Sequence, residues 1–346
     1  MSKVAVGLSG GVDSSVTVHL LQQAGHDVVG IHMKLTPEGS RDADATNDAR
    51  AVAEHFNIPF HILDARKIFN EEVMAPFANA YLNSETPNPC VRCNAVIKFG
   101  LLWQEAQRLG CTHLATGHYA RIAHTENGSF LLKGEDPKKD QSYFLYRIPK
   151  EVLPFIIFPI GDYSKEETRE IAEGLNLITA QKKESQEICF IPKDDYVSFL
   201  EEYCPNKLPD AGQFVSREGQ SLGTHQGTHH YTIGQRRGLG LALGYPAYVT
   251  GINAHTGKVT VGTDSDLWHT GLIATDVNFL VDEQTEGQSL IKIRSRDKGT
   301  NGHWTYKDGQ LTIHFDAPVR AITPGQSVVL YNDDQVIGGG IIQNPL

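Results

Sequence analysis

The first residues restrict the fold more than any other part of the chain. An apolar, β-branched run at Val4–Val6 is followed by a turn rich in glycine and serine, Ser9–Ser14, and then by a helical pattern from Ser15 to Leu21. Paired glycines let the backbone approach a ligand closely, and the unpaired N–H groups at a helix start attract anions. The pattern therefore predicts a strand–turn–helix unit whose turn holds phosphates.

Two details refine this prediction. The turn lacks the Gly-Lys-Ser/Thr ending of a Walker A loop, so the expected phosphate loop is of another type. Asp13 does not suit an anion site unless a cation joins it, and we infer Mg²⁺ held together with the phosphates. A tight turn without a ligand is the alternative, but the complete string from Ser9 to Ser14 favours a nucleotide.

The composition is that of an ordinary globular protein, and 346 residues are enough for two or three domains. The net charge of −10 argues against non-specific binding to polyanions. It does not exclude a local basic surface that binds one RNA. The sequence shows no apolar run long enough to cross a membrane, no signal peptide before the first strand, and 5 scattered cysteines. These features predict a cytoplasmic protein without a membrane or DNA partner.

The first half of the chain predicts a doubly wound α/β domain. Short apolar strands alternate with helical stretches, which is typical of a parallel sheet with helices on both faces. After the first strand, the predicted strands are 28–33, 58–63 and 112–116, and the predicted helices are 44–56, 65–81 and 94–109. Ligands of such sheets bind at the carboxyl ends of the strands, where the glycine-rich turn and Gly117-His118 both fall. A weaker helical character continues to Tyr203.

From Leu208 onward the pattern changes. Frequent glycines and short alternating runs predict two small β-rich modules, the last of them a β-barrel. The runs are 247–252, 258–261, 289–293, 311–315, 327–331 and 336–342. The predicted domains are residues 1–204, 205–269 and 270–346.

Two cysteines, Cys90 and Cys93, precede a predicted helix. The neighbouring prolines disfavour helix before Cys90, so the helix is predicted to begin near Cys93. A thiol at a helix N-terminus, with Arg92 beside it, is expected to have a pKa below the ~8.5 of a free thiol and to be a good nucleophile.

A zinc or redox pair is the alternative for these two cysteines. A structural zinc site needs a second ligand cluster, and the sequence has no second Cys-x-x-Cys pair. The histidine cluster at His225, His229 and His230 is predicted to be a polar loop. Cys111 precedes a strand and is expected to serve packing alone.

The glycine-rich turn resembles the PP-loop of the ATP pyrophosphatase superfamily. Members cleave ATP between its α- and β-phosphates and activate a carbonyl oxygen as its adenylate. With Cys93, and with Cys189 about a hundred residues further on, the whole chain resembles the tRNA-specific 2-thiouridylase family. Six ordered segments carry this resemblance: 86–94, 97–100, 115–121, 139–145, 185–190 and 231–240.

The resemblance implies an enzyme that installs sulfur at carbon 2 of the wobble uridine, in the anticodon stem-loop of tRNAs for Lys, Glu and Gln. ATP, with Mg²⁺, would adenylate the O2 oxygen of that uridine. A persulfide on Cys189, supplied by a sulfur-donor protein, would then attack C2. Cys93 would be the other catalytic thiol, releasing or attacking the sulfur and leaving a Cys93–Cys189 disulfide, and Asp13 is placed with the catalytic residues. The Cys189 loop is expected to move, because the two sulfurs must meet.

The resemblance also assigns binding residues. The ATP site would be formed by Gly7, Leu8, Ser9, Gly10, Gly11, Val12, Asp13 and Ser14, with Met33 and Gly117 beside the adenine. The target base would face Asn88, Pro89 and Cys90. Further tRNA contacts would come from His118, Lys139, Asp140, Gln141, Arg294, Ser295 and Gln326. Without the resemblance, the charged residues among them would be interpreted as solvated surface charges.

Two positions depart from the usual pattern of the family. Many members have Asp at the position of Cys90, and in members with the Cys-x-x-Cys pair the thiols hold a [4Fe–4S] cluster that uses sulfide. Here that set would be Cys90, Cys93 and Cys189, and the persulfide route is favoured because three cysteines leave the usual four-ligand set incomplete. Ser295 stands where the family usually has Tyr, so a stacking aromatic ring is missing.

Two rival functions stay open at this point. A PP-loop amidating synthetase would use the same ATP chemistry but would not need the cysteines. A non-catalytic, metal-containing RNA-binding protein would use the cysteines but would not turn over ATP.

Overall fold

A computed structural model describes residues 1–36, 42–182, 188–191, 193 and 195–346, with the side chains of residues 42 and 43 left aside. Its first sheet has five parallel strands: Lys3–Gly7, Asp27–Lys34, Phe60–Asp64, His113–Ala115 and Ile156–Ile157. Their order across the sheet is third, second, first, fourth, fifth. The direction of winding reverses between the first and fourth strands, and ligands bind at such a switch point. The predicted parallel sheet is confirmed.

Helices cover both faces of this sheet, as the doubly wound prediction requires. Val4 and Val6 pack with Val18 and other apolar residues of the first two helices, whereas Ala5 between them packs on the opposite face with Phe99 and its neighbours. This alternation is what a strand buried on both sides needs. The longer helical segments are Val12–Gln23, Asp42–His55, Arg66–Leu82, Pro89–Arg108, Lys165–Gly174 and Tyr196–Tyr203.

The helix that carries the cysteines begins at Pro89, four residues earlier than predicted. Proline is favourable in the first position of a helix, because its missing N–H would have no partner there. Pro89 is therefore the first residue of the helix and not the helix breaker that the sequence predicts. Within this helix, Cys93–Leu101 forms a nine-residue π-helical stretch.

The weak helical character expected up to Tyr203 is wrong for residues 120–133. Ala120–Thr125 and Gly128–Lys133 form an antiparallel hairpin. The signal was available in the sequence: Asn127-Gly128 is typical of a hairpin turn, and Gly128 adopts a positive φ of 124°.

The second half of the chain contains two β structures, and the predicted alternating runs are confirmed as strands. A four-stranded sheet is formed by Gly212–Val215, Ser221–His225, Tyr248–Asn253 and Lys258–Gly262. A closed six-stranded barrel follows, made of Trp268–Phe279, Glu286–Lys292, Thr300–Lys307, Gln310–Arg320, Ser327–Asn332 and Gln335–Pro345. Its first and last strands pair with each other, which closes the barrel. The predicted boundaries after residues 204 and 269 stay a proposal, the second lying inside the strand Trp268–Phe279.

The hairpin of the first domain extends the sheet of the barrel. Leu132 pairs with Gln335 of the last strand, and the Tyr143 hydroxyl donates to the Ser327 carbonyl at 2.7 Å. Leu131, Tyr143, Tyr331 and Val336 lie in one apolar core with residues of the parallel sheet. The first domain and the barrel therefore share both a sheet and a core. Within the described part of the chain, no helix is long and apolar enough to cross a bilayer.

The histidine cluster of the central sheet is not the polar loop that we predicted. His225 and His229 are buried. The Nδ1 atom of His225 accepts from the Gly227 N–H at 3.1 Å, so its Nε2 donates to the Gly257 carbonyl at 3.0 Å. This arrangement fits only the neutral ring. Burial lowers the pKa of His225 and lowers the pKa of His229 to about 4.

We predict that the protein loses stability as the pH falls from about 6.5 toward 4, before most carboxylates titrate. The folded His229 binds its proton less readily than the unfolded chain does, so stability is full above the unfolded pKa and is lost as the pH falls toward the folded pKa, by about 1.4 kcal/mol per pH unit. Thermal midpoints at pH 7.5 and 5 measure this loss. In His229→Asn the drop should shrink, while His255→Asn, an exposed position in the same domain, should leave it unchanged; equal drops in all three proteins would contradict the prediction.

Candidate active site

The glycine-rich turn leaves the start of the helix Val12–Gln23 open. Gly11 is the residue before the helix, and no side chain of the described residues caps the first turn. The first N–H groups therefore stay available to an anion. Gly10 has a φ of +73°, and a Cβ there would lie 2.7 Å from the Ala45 carbonyl oxygen. Only glycine fits at that position, because both its backbone conformation and the space around it exclude a side chain.

Serine hydroxyls hold the turn in this shape. The hydroxyls of Ser9 and Ser14 lie 3.2 Å apart, and the Ser14 hydroxyl also donates to the Gly11 carbonyl at 3.1 Å. Ser15 donates to the same carbonyl at 2.9 Å. The loop is thus fixed by its own hydrogen bonds before any ligand arrives.

Two lysines that the sequence does not connect with this loop, Lys165 and Lys182, bring positive charge to it. Lys165, at the start of its helix, donates to Asp13 Oδ1 at 2.6 Å. Lys182 donates to the Gly10 carbonyl at 3.3 Å and pairs with Asp48. Neither lysine belongs to a motif, and both lie more than 150 residues from the loop in sequence, so only the fold shows them.

Asp13 therefore already has a cation beside it. Its Oδ1 accepts hydrogen bonds from Lys165 and, at 2.9 Å, from the Tyr119 hydroxyl. Lys165 thus supplies the positive partner for which the sequence predicts Mg²⁺ beside Asp13. Within the described ranges, no three His, Cys, Asp or Glu side chains come together in a group that could hold a metal ion.

The carboxyl ends of neighbouring strands bring two further predicted ATP-site residues to the glycine-rich turn. A Cβ on Gly117 would lie 2.8 Å from the Asp13 carbonyl carbon and 2.9 Å from the Ser14 nitrogen. Gly117 thus touches the backbone of the phosphate loop itself. Met33 lies near the end of its strand, half-buried between two apolar clusters. The fold brings both residues to the edge of the sheet where the phosphate loop lies.

The two cysteines of the helix differ from expectation. Cys93 is 8% exposed, whereas Cys90 is an exposed residue whose thiol is nevertheless partly desolvated by the surrounding protein. Burial raises the pKa of both thiols, that of Cys93 to about 11, and the positive charge of Lys98 opposes this rise. The predicted low pKa of Cys93 is therefore wrong. The helix starts at Pro89, which places Cys93 in its second turn, and Arg92 pairs with Glu72 at 2.6 Å instead of activating the thiol.

Lys98 is held in place by a buried histidine. Its Nζ lies 3.2 Å from Nε2 of His118, whose Nδ1 lies 2.7 Å from the Thr116 hydroxyl. Burial, followed by the charge of Lys98, lowers the pKa of His118 well below its ordinary value, so the ring is neutral. The lysine therefore donates to Nε2, and Nδ1–H donates to Thr116. Both ring nitrogens of His118 thus have protein partners, Lys98 and Thr116, and the tRNA contact expected of His118 stays a prediction.

Cys189 lies beside the cluster that contains Cys93. It is exposed, and its neighbours Ile188 and Phe190 pack into the same apolar cluster as Cys93. The Phe190 ring meets that of Phe77 edge to face, 5.3 Å between centroids. The residues just before, Ser185-Gln186-Glu187 of the resemblance, lie outside the described residues. The two thiols of the proposed chemistry are thus on the same side of the first domain.

The residues expected to contact tRNA fall into two groups. Asp140 accepts from Gly134, from the Ser142 amide and from the Ser142 hydroxyl, all within 3.1 Å. Gln141 accepts from the Tyr119 N–H at 2.9 Å. These hydrogen bonds support the loop around Lys139, and the tRNA contacts expected of this loop stay a prediction.

The second group lines a cleft of about 770 Å³ between the three parts of the chain. Its walls bring Asn88, near the cysteines, together with Arg294, Ser295 and Gln326 of the barrel. The other lining residues are Thr86, Tyr196, Val197, His230, Thr232, Ile233, Gly234, Gln235, Arg296 and Thr323. The phosphate loop does not line this cleft. The cleft is open to solvent, and apolar atoms form the larger part of its lining surface.

Comparison with known proteins supports this arrangement. Family models match three successive parts of the chain: a "tRNA methyl transferase HUP domain" at residues 2–193, a "tRNA methyl transferase PRC-barrel domain" at 197–263 and an "Aminomethyltransferase beta-barrel domain" at 269–342. A relative from Carboxydothermus hydrogenoformans, named tRNA-specific 2-thiouridylase MnmA, is 44% identical, covering 99% of this chain and 98% of its own. The chain belongs to the tRNA-specific 2-thiouridylase family.

Other members of the 2-thiouridylase family are equally similar. A relative of the same name from Geobacter metallireducens is 45% identical over 98% of this chain and 96% of its own length. One from Clostridium acetobutylicum is 44% identical over 99% of both chains. Full-length similarity to the 2-thiouridylase family means that no part of the three-part architecture is peculiar to this chain.

We predict that Gly117→Ala weakens binding of a non-hydrolysable ATP analogue about ten- to a hundredfold, because the new methyl group pushes on the backbone that forms the phosphate loop. Gly174→Ala is the matched control, since nothing lies within 4 Å of a Cβ at that helix end. Titration calorimetry on both variants checks the prediction. Unchanged affinity in Gly117→Ala, with the fold intact by circular dichroism, would contradict it.

Proposed function

We propose that the protein is an ATP-dependent tRNA 2-thiouridylase that converts the wobble uridine of tRNA to 2-thiouridine. The observation that carries the proposal is the open helix start at Gly11, flanked by Lys165 and Lys182, in the same domain as Cys93 and Cys189. Family membership supports the same reaction. The proposed tRNAs are those for Lys, Glu and Gln, and the proposed location is the cytoplasm.

The first step would be activation of the uridine by ATP. The carbon at position 2 is a poor electrophile, and its oxygen becomes a good leaving group only when it is adenylated. The N–H groups after Gly11 and the ammonium group of Lys182 would hold the triphosphate and stabilise the charge on the departing pyrophosphate. Asp13, braced by Lys165 and Tyr119, would fix the first turn of the helix.

Mg²⁺ would enter with the triphosphate. The residues around the loop offer it Asp13, one of whose oxygens already accepts from Lys165 and Tyr119, so phosphate oxygens and water would supply most of the ligands. When bound, the ion would neutralise phosphate charge.

The second step would be sulfur transfer. A donor protein would leave a persulfide on Cys189. The outer sulfur of this persulfide would attack C2 and expel AMP, so that the uridine C2 becomes joined to Cys189 through a sulfur–sulfur bond. The Cys93 thiolate would then attack the Cys189 sulfur. A Cys93–Cys189 disulfide forms, the sulfur–sulfur bond to the uridine breaks, and 2-thiouridine leaves. An external thiol would reduce the enzyme disulfide afterwards.

The alternative with a [4Fe–4S] cluster uses Cys90, Cys93 and Cys189 as ligands and sulfide as donor. In the described part of the chain these three thiols do not form a group that could hold a metal. The cluster route is therefore the alternative outcome of the experiment. Iron and sulfide analysis after anaerobic purification, together with the activity of Cys90→Asp, decides between the two sulfur routes.

The proposal is tested by incubating the protein with tRNA, ATP and a persulfide donor, then measuring 2-thiouridine by nucleoside analysis and AMP by chromatography. We expect both products from the wild type and no 2-thiouridine from Cys93→Ser or Cys189→Ser. Cys204→Ser is the matched control, because its Sγ only donates to the Leu200 carbonyl at 3.3 Å, which a hydroxyl can also do. AMP without dependence on either cysteine would indicate an amidating synthetase, and no AMP at all would leave only an RNA-binding protein.

A second prediction concerns Lys98, whose positive charge opposes the rise in the pKa of Cys93. Removing that charge in Lys98→Met should raise the pKa further and slow iodoacetamide alkylation of Cys93 at pH 8 about tenfold. Lys98→Arg keeps the charge and should recover part of the rate. Peptide mass spectrometry measures the alkylation against pH, and a profile of Lys98→Met identical to that of the wild type would exclude this role.

A further inference from the structure

Thr86 occupies an unusual place between the three parts of the chain. Its N–H donates to the Pro324 carbonyl at 2.9 Å, and its own carbonyl accepts from Nε2 of Gln326 at 2.9 Å. Its hydroxyl donates to that of Thr232 at 3.3 Å. One residue of the first domain is thus bonded through both backbone groups to the barrel and through its side chain to the central sheet.

A tight turn of the barrel, Thr323–Gln326, packs against Thr86. Gly325 has a φ of +87°, and a Cβ there would lie 2.9 Å from the Thr86 nitrogen and 2.9 Å from Glu85 Cβ. The turn is anchored from behind, because Gly325 and Gln326 exchange backbone hydrogen bonds of 2.9 and 2.8 Å with Ile342 of the last strand. It cannot retreat from Thr86 without disturbing the barrel.

The chain that leaves Thr86 leads directly to the catalytic helix and is stiff. Pro87 and Pro89 fix their own φ angles, and they hold the residues before them, Thr86 and Asn88, in extended conformations. Asn88 is extended, with φ −111° and ψ 92°. The segment from Thr86 to Cys90 spans at most about 14 Å. Because this segment is short and stiff, a displacement of Thr86 is transmitted to Cys90 and to the next turn of the helix.

The same turn also holds Arg294, one of two arginines that line the cleft. The guanidinium group of Arg294 donates to the Thr323 hydroxyl at 3.2 Å and to the Ala321 carbonyl at 2.6 Å. A phosphate bound by Arg294 therefore acts on residues that adjoin the contact with Thr86. The route from the cleft to the thiols consists of Arg294, Thr323, the turn, Thr86 and the two prolines.

We propose that Thr86, held by Pro324, Gln326 and Thr232, is a positioning residue through which the barrel and the central sheet set the placement of Cys90 and Cys93 when RNA occupies the cleft. This inference rests on the proposed function in one respect, the assignment of tRNA to the cleft. The resemblance implies that Gln326 contacts tRNA directly. In this proposal the side-chain amide of Gln326 instead donates to the Thr86 carbonyl, and Gln326 affects RNA only indirectly.

The test compares Gln326→Met and Thr86→Val, which remove different bonds of Thr86 and keep nearly the same side-chain size. We expect kcat for 2-thiouridine formation to fall about tenfold in each, while KM for tRNA changes less than about threefold. Gln343→Met is the matched control, because Gln343 lies on the last strand and donates only to the Ile341 carbonyl, and its kinetics should equal those of the wild type. A raised KM with an unchanged kcat in Gln326→Met would show that Gln326 contacts tRNA directly and would overturn the proposal.

A second measurement does not depend on catalysis. In the wild type, tRNA should slow hydrogen exchange of the amides in residues 86–93 and slow alkylation of Cys90, and both effects should shrink at least about threefold in Gln326→Met. Equal protection in wild type and variant would overturn the proposal. If the wild type binds tRNA and shows this protection but makes no 2-thiouridine, the proposed function fails while the positioning role stands. Absence of tRNA binding would overturn both.

Discussion

The contact between Gly117 and the phosphate loop is the constraint on which the site depends. The end of the fourth parallel strand lies against the backbone of Asp13 and Ser14, with no room for a side chain. This contact joins the two strands between which the winding of the sheet reverses. It fixes the first turn of the helix Val12–Gln23, and with it the direction of the N–H groups that face an anion. Lys165 and Lys182 both donate hydrogen bonds to the loop whose shape this contact helps to determine.

The sequence was a good guide to the architecture wherever a periodic pattern was long or a motif was complete. The parallel sheet, its helices and the later β-strands were predicted because apolar alternation reports burial directly. The predicted elements were wrong where one residue type has different effects at different positions of a helix. Pro89 was interpreted as a barrier to helix, whereas at the first helical position it starts one. The hairpin 120–133 was missed because weak helical spacing was given more weight than Asn127-Gly128.

The site was predicted less completely, for a physical reason. Residue type and spacing locate groups on one element, but pKa values and ion pairs depend on groups that the fold brings from elsewhere. Lys165 and Lys182 lie far from the phosphate loop in sequence and belong to no motif. The state of Cys93 was predicted with the wrong sign, because its burial cannot be read from the residues beside it. Lys98 lies in segment 97–100, which resembles the family, but only the structure shows that its Nζ contacts Nε2 of His118.

The hairpin Ala120–Lys133 has a consequence for synthesis of the chain. Its second strand, Gly128–Lys133, pairs with Gln335–Pro345, and the core beneath it includes Val336. When the first domain leaves the ribosome, the residues that complete its sheet and core have not yet been translated. Leu131 and Tyr143 then stay uncovered until the last strand emerges, and such exposed apolar surface is what chaperones bind and what aggregates. The first domain, although it carries the phosphate loop and both proposed thiols, therefore completes its core only after the strand Gln335–Pro345 has been translated.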